Sequence, residues 1–448
     1  MRRTCSVVCL AAGVTLYAGA QEAERGEEAP RATEPGGVQG TPPPGLENWP
    51  QWRGPALNGV STERGLPRTW SPTEHIAWKL PMPSRSGATP IVWGNRIFLN
   101  VATAEFTGGL ELWAVDRDKK DVIWKKPLGG GNKQGRKQNM SSPSPVTDGR
   151  TVWAMTGVGM LKAFDFAGNE KWSRDIQKDY GAFGLNWEYA SSPLLTGGDL
   201  IVQVLHGMKT DAASYVLRID GATGKTEWKV ERPTAAIHES PDSYTTPAIV
   251  TRGRASEVIV TGGDVVTGHD SATGKEIWRV DGLNPQNNGA YRIVASPVVW
   301  QGMAIIPTRV RPMLTLDVAG RGTAAPKTMW SFDQGPDVPT PVTDGALVYV
   351  VRDNGNAFAL DLKTGATVYG PERLTPGTYS ASPVLADGHV YVTNEDGVTS
   401  VYKAGRTFEI VATNALNDYC LSSIAVSEGQ LFLRTTKHLW VIGERKVR

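Results

Sequence analysis

Six short stretches of this 448-residue chain gather side chains able to hold a planar, negatively charged molecule. They are Ser84-Arg85-Ser86, Asn186-Trp187-Glu188-Tyr189, Asp242-Ser243-Tyr244, Tyr291-Arg292-Ile293, Gly377-Thr378-Tyr379 and Asp418-Tyr419. Aromatic faces stack on a flat ring, and a guanidinium fork takes a carboxylate through two parallel hydrogen bonds. Arg85, Trp187, Glu188, Tyr244, Tyr291, Arg292, Tyr379 and Tyr419 are therefore candidate ligand-binding residues. The same residue types also fill a narrow channel by bonding to nearby carbonyls, which gives rigidity and no binding.

Other chemistries find less support. The six His are scattered and none sits in a nucleophile motif, so no catalytic residue is assigned. Asp353-Asn354-Gly355-Asn356 begins like a Ca²⁺ loop, but Thr364 stands where the twelfth-position Glu belongs, and turn chemistry explains it; no metal ligand is assigned. Gly129-Gly130-Gly131-Asn132-Lys133-Gln134-Gly135 lacks the Gly-Lys-Ser/Thr of a phosphate cradle and reads as an exposed loop. Arg309 and Arg311 read as a solvated surface pair.

Each candidate stretch lies just before a copy of one unit. Its fullest form is Ser382-Pro383-Val384-Leu385-Ala386-Asp387-Gly388-His389-Val390-Tyr391-Val392, a strand, an Asp-Gly turn and a second strand. Copies start at Thr89-Pro90, Ser144-Pro145, Ser192-Pro193, Thr246-Pro247, Ser296-Pro297, Thr340-Pro341, Ser382-Pro383 and Ser423-Ile424, at intervals of 55, 48, 54, 50, 44, 42 and 41 residues. Period-2 alternation bounded by Gly, Asp and Pro marks small antiparallel sheets. About 40–45 residues per four-stranded unit is the spacing of propeller blades. The expected fold is all-β, an eight-bladed β-propeller, and the candidate residues then converge on its axis. Every such ring must fill or solvate that axis, so the channel-filling reading carries the greater weight.

Blades 1 to 5 each end on a Trp after a turn: Trp124, Trp172, Trp228, Trp278 and Trp330. Tyr369 and Phe408 take that place in blades 6 and 7, and each ring is expected to lie over its turn. Blade 8 stops at His438–Ile442 with no outer strand. The segment Ile76–Leu80, with Trp78 as the eighth aromatic, is expected to supply it and close the ring.

Arg2, Arg3, the apolar run Val7–Leu16 and Ala18-Gly19-Ala20 read as a secretory signal over residues 1–20. Val7-Val8 before Cys9 disfavours a lipid-anchor signal. Residues 21–48 read as a disordered linker, 49–84 as an N-terminal cap with the closing strand, 85–443 as the propeller and 444–448 as a tail. The location is periplasmic or secreted, with no membrane span left after cleavage. The mature chain carries 45 basic and 45 acidic residues, which removes the generic case for nucleic acid. Its one Cys, Cys420, forms no intramolecular disulfide and reads as a buried thiol.

The endings Asp220-Gly221-Ala222-Thr223-Gly224-Lys225-Thr226-Glu227-Trp228 and Asp270-Ser271-Ala272-Thr273-Gly274-Lys275-Glu276-Ile277-Trp278, in an eightfold array, resemble the tryptophan-docked repeats of quinoprotein (pyrroloquinoline quinone, PQQ) propellers. The resemblance covers roughly 49–443. It implies one of two functional branches. PQQ- and Ca²⁺-dependent alcohol or sugar dehydrogenases carry an adjacent Cys pair and Glu, Asn and Asp metal ligands, none of which can be matched here. Non-catalytic members include the propeller lipoprotein of the outer-membrane β-barrel assembly machinery. The resemblance therefore implies a binding or assembly scaffold with protein partners in the cell envelope and no assigned cofactor. The alternatives are a PQQ/Ca-dependent dehydrogenase, or a sensor taking a small planar anionic ligand in the same funnel.

Overall fold

A computed structural model describes residues 48–446, apart from 254, 310, 311 and 321–323. The signal peptide, the linker up to residue 47, Arg311 and the last two residues lie outside the described residues. The chain forms eight four-stranded antiparallel sheets, the expected eight-bladed propeller. Their innermost strands start at Ile91, Val146, Leu194, Ala248, Val298, Val342, Val384 and Ala425, which define blades 1 to 8. Within blades 1 to 7 the strands pair in chain order. Hairpins joining strands 2 and 3 and connectors between blades therefore share one face of the ring. The turns joining strands 1 to 2 and 3 to 4 lie on the other.

Ile76–Pro81 pairs antiparallel with His438–Ile442, as expected, so the chain's start completes its last blade. Trp78 stands opposite Val441, the register in which Trp172 faces Ala163 and Trp228 faces Arg218.

The docking of the Trp rings differs from expectation. Trp124, Trp172, Trp228 and Trp330 lie over the turn of the following blade, not their own. The Trp172 indole donates to Gly221 O at 2.9 Å, Trp228 to Ser271 O at 3.1 Å and Trp330 to Leu362 O at 2.8 Å. Side chains alternate between the two faces of a strand, and these point toward the next blade. Trp278 departs: opposite Gly268, it folds onto its own blade and donates to Glu257 Oε2 at 3.0 Å. In blade 7 the Trp register falls to Ala412, opposite Val401. Phe408 comes earlier and packs on Tyr369 of blade 6, with ring centroids 5.5 Å apart.

The Ser/Thr of each repeat builds a ladder around the axis. The Thr89 N–H donates to Ser144 Oγ at 2.9 Å, Ser144 N–H to Ser192 Oγ at 2.9 Å, and Ser192 N–H to Thr246 Oγ1 at 3.2 Å. The pattern continues through Ser296, Thr340 and Ser382 to Ser423. Pro follows because it needs no N–H partner there. At the seam between blades 8 and 1 the ladder ends, with Thr89 Oγ1 buried and unpartnered. Two arginines hold that seam. Arg117 of blade 1 pairs with Glu428 at 2.8 Å and donates to Ser427 O at 2.7 Å. Arg434 of blade 8 donates to Asn100 O and, at 3.2 Å, to Ser84 O. Burial pulls Arg117 down to about 10 and Arg434 to about 9.

Residues 49–60 cross the axis at the mouth where the innermost strands end. Trp49 bridges Val92, and Pro50 O accepts the Thr147 N–H at 2.9 Å. Gln51 Oε1 accepts the Leu195 N–H at 3.1 Å, and Val60 bridges Leu385. Arg53 enters the channel and donates to Pro383 O at 2.9 Å and Pro341 O at 3.1 Å. This cap plugs one end of the ring.

Candidate funnel and binding face

The other mouth holds the candidate residues, because connectors between blades deliver them there. Trp187 comes from the blade 2–3 connector, and all its polar groups are engaged. Its N–H donates to Tyr244 Oη at 3.0 Å, its indole N–H to Glu239 Oε1 at 2.6 Å, and its carbonyl accepts from Gln138. Trp187 as a whole is 40% exposed. Asp242, fully buried, sets this geometry. It accepts the N–H of Asn186 at 2.6 Å, Gly207 at 2.9 Å and Met208 at 3.1 Å, so one carboxylate ties two loops together. Burial raises its pKa while the three N–H bonds oppose the rise. Burial also raises the Tyr244 phenol.

The cations of the funnel are matched by acids. Arg292 faces Glu239 at 3.3 Å, Arg309 faces Asp337 at 3.2 Å and Lys137 faces Glu395 at 2.6 Å. Lys133 pairs with Glu188. Arg85 donates to Gly135 O at 2.8 Å and to Arg136 O at 3.3 Å, with its guanidinium 5.7 Å from the Tyr419 ring centre. Tyr419 donates to Glu395 Oε2 at 3.0 Å. Tyr291 lies beneath the Arg309 guanidinium at 5.4 Å. Tyr379 stands apart from this group. It is fully buried between blades 6 and 7, donates to Thr375 O at 2.8 Å, and burial pushes its phenol up to about 12. It presents no ring face to a ligand.

Sequence reasoning singled out Arg85, Arg292 and the aromatics and passed over Glu239, Asp337 and Glu395. Looking for acids just before a repeat start would have found Glu239 and Asp337; Glu395 lies in the strand 2–3 hairpin of blade 7. Lys137 could not be placed that way. It comes from the long blade 1–2 connector and reaches blade 7, donating to Ser380 Oγ at 3.3 Å as well as to Glu395.

A quinone tricarboxylate does not fit these residues. Its carboxylates would have to displace Glu239 and Asp337 from Arg292 and Arg309, and Arg85 is engaged by carbonyls. Cys420 is buried, and burial pushes its thiol up to about 12. Among the described residues one group has metal-ligand spacing, Asp199, Asp220 and Glu227 of blade 3. The Arg218 guanidinium already bonds two of them, Asp199 at 2.5 Å and Glu227 at 2.7 Å.

An eight-bladed ring with tryptophans docked on glycine turns and a self-paired axis defines a PQQ-like repeat propeller. The chain belongs to the family whose model is described as outer membrane protein assembly factor BamB, which matches residues 60–183, 114–370 and 327–407. A relative described as outer membrane protein assembly factor BamB, from Alkalilimnicola ehrlichii, is 30% identical over 163 residues, covering 34% of this chain and 40% of its own length. The match thus spans well under half of that relative. Among solved structures, BamB from Moraxella catarrhalis superposes with a TM-score of 0.59 at 15% identity, over 82% of this chain and 99% of that one. A europium-containing methanol dehydrogenase gives 0.62 at 12%, over 88% and 91%. The quinohemoprotein alcohol dehydrogenase of Comamonas testosteroni gives 0.59 at 12%, over 90% and 82%. At these identities the solved structures establish the fold alone. No helix among the described residues is long and apolar enough to cross a membrane.

Proposed function

We propose that the chain is an exported, non-catalytic scaffold for protein assembly in the cell envelope, acting outside the cytoplasm after removal of residues 1–20. The observation that carries this reading is the pairing of the funnel's cations with the ring's own acids: Arg292 with Glu239, Arg309 with Asp337, Lys137 with Glu395. An axis neutralised from within holds the blades in register and sets an incoming anion in competition with the ring's own carboxylates. The family model and the relative named outer membrane protein assembly factor support the assembly role. A rigid ring whose connectors gather on one face suits protein–protein contact.

The test is depletion of the protein in its native cell. Quantitative proteomics of the envelope should show folded outer-membrane β-barrels falling, restored by the wild-type gene. Unchanged barrel levels, together with loss of growth on an alcohol or sugar, would instead support the dehydrogenase alternative.

A further inference from the structure

Seven large apolar side chains are more than a third exposed among the described residues, and their distribution is uneven. Ile123, Met329 and Ile410 lie on outermost strands at the rim. The other four, Phe106, Trp187, Met208 and Ile237, all fall in hairpins or connectors of the funnel face, and all within blades 1 to 4.

Hydrogen bonds make these four one surface. Asn132 donates to Ala104 O at 2.9 Å, tying the Phe106 hairpin to the blade 1–2 connector. That connector reaches Glu188 through Lys133 and the Trp187 carbonyl through Gln138. The Trp187 indole is held by Glu239, two residues from Ile237, and Asp242 fixes Asn186 and Met208 together. Beside Ile237 the surface opens into a groove of ≈ 520 Å³ floored by Asp264 and Asn284. An exposed tryptophan restrained at its N–H, carbonyl and indole has little freedom left to lose on association, the property of an interface anchor.

The blade 1–2 connector that meets Trp187 is basic. Residues 130–138 contain Lys133, Arg136 and Lys137 and no acid. Arg136 is exposed, as is Lys209, whose ammonium donates to Asn186 O. The acids around Trp187 are occupied or buried: Glu188 by Lys133, Glu239 by Trp187 and Arg292, and Asp242 by three N–H groups. Glu105, beside Phe106, and Asp211, in the Met208 hairpin, are exposed.

We propose that this blade 1–4 sector, anchored by Trp187, is the docking surface for a protein segment presenting apolar side chains flanked by carboxylates. The inference rests on the scaffold reading and names the partner chemistry of that face. Its apolar contacts would cover Phe106, Trp187, Met208 and Ile237, and its acids would meet Arg136 and Lys209.

The test is photo-crosslinking in the native envelope with a benzophenone amino acid at positions 106, 208 and 237. Controls carry it at 333, on the same face beyond blade 5, and at 150, on the opposite face. The expected result is one shared protein adduct from 106, 208 and 237, mapped by mass spectrometry to an acidic, apolar segment. Trp187→Ala should lower its yield about tenfold or more, as should Arg136→Glu with Lys209→Glu, while circular dichroism and melting stay unchanged. Equal adducts from 150 or 333, a basic segment, or adducts to lipid would overturn the assignment and leave the scaffold reading standing. No protein adduct from any position would overturn both.

Discussion

Ser192 Oγ accepts the Ser144 backbone N–H at 2.9 Å across the seam between blades 2 and 3. This relationship explains why Ser or Thr starts every repeat after the first: the hydroxyl accepts the N–H of the preceding blade's repeat start. Ser192→Ala leaves a buried N–H unpaired and should cost about 1–3 kcal/mol. Thr89→Val is the control, since Thr89 Oγ1 has no partner to lose and the change should be neutral or slightly stabilising. Urea unfolding of the two variants measures the contrast. Equal losses would contradict the ladder's role.

Gly274 takes φ 74°, and a Cβ there would meet the Trp228 ring at 2.6 Å. Gly388 has a similar φ of 69° with open space around it. Gly388→Ala should therefore show only the left-handed backbone cost, about 1 kcal/mol, while Gly274→Ala adds displacement of the docked indole. Thermal melts should rank Gly274→Ala clearly below Gly388→Ala, with a shift in tryptophan emission for the former alone.

Glu428 serves two arginines, the buried Arg117 at 2.8 Å and the half-exposed Arg445 at 2.6 Å. Glu428→Ala strands a buried cation at the one seam lacking the hydroxyl ladder and should cost about 3–5 kcal/mol. Arg445→Ala removes the outer contacts, to Glu428, Asp118 and Asn95, and should cost about 1 kcal/mol or less. Hydrogen exchange should place the loosening from Glu428→Ala at blades 1 and 8.

His206 is buried, accepts the Gly184 N–H at Nδ1 over 3.1 Å, and has its pKa lowered below 6.5 by burial. Its neutral form is the folded one. In the window below 6.5 the unfolded chain binds the proton that the folded chain refuses, so this residue's contribution to stability falls as pH falls. Once the slower intrinsic exchange at low pH is divided out, the protection factors of the amides of residues 206–214, which carry Met208, should be lower at pH 5 than at pH 7.5. His206→Asn should flatten that pH dependence, and an unchanged profile would contradict the assignment.

The ring was legible because its signals are local and repeated. Eight Ser/Thr-initiated strands, Asp-Gly turns and spaced tryptophans each state the same blade, and the missing outer strand of blade 8 pointed to Trp78. Departures arose where a contact crosses to another blade. Nothing local tells that Trp228 docks on Ser271 rather than its own turn, or that Ala412 rather than Phe408 holds the Trp register on the outermost strand of blade 7. The funnel was legible in residue type only. Arg292 reads as an anion receptor and Arg309 as a solvated surface residue until Glu239 and Asp337 are seen opposite them, and that pairing spans residues more than twenty apart. The crossing of the axis by residues 49–60 left no sequence periodicity at all.

The funnel axis is closed by its own ion pairs. Titration of the purified mature protein with PQQ, with and without Ca²⁺, followed by tryptophan fluorescence, tests this directly. No saturable quenching is expected up to ~50 μM cofactor, a concentration that would reveal any binding stronger than about −6 kcal/mol. Arg292→Ala and Arg309→Ala should leave that result unchanged. Saturable, Ca²⁺-dependent quenching, lost in Arg292→Ala and accompanied by dye-linked oxidation of an alcohol or sugar, would contradict it.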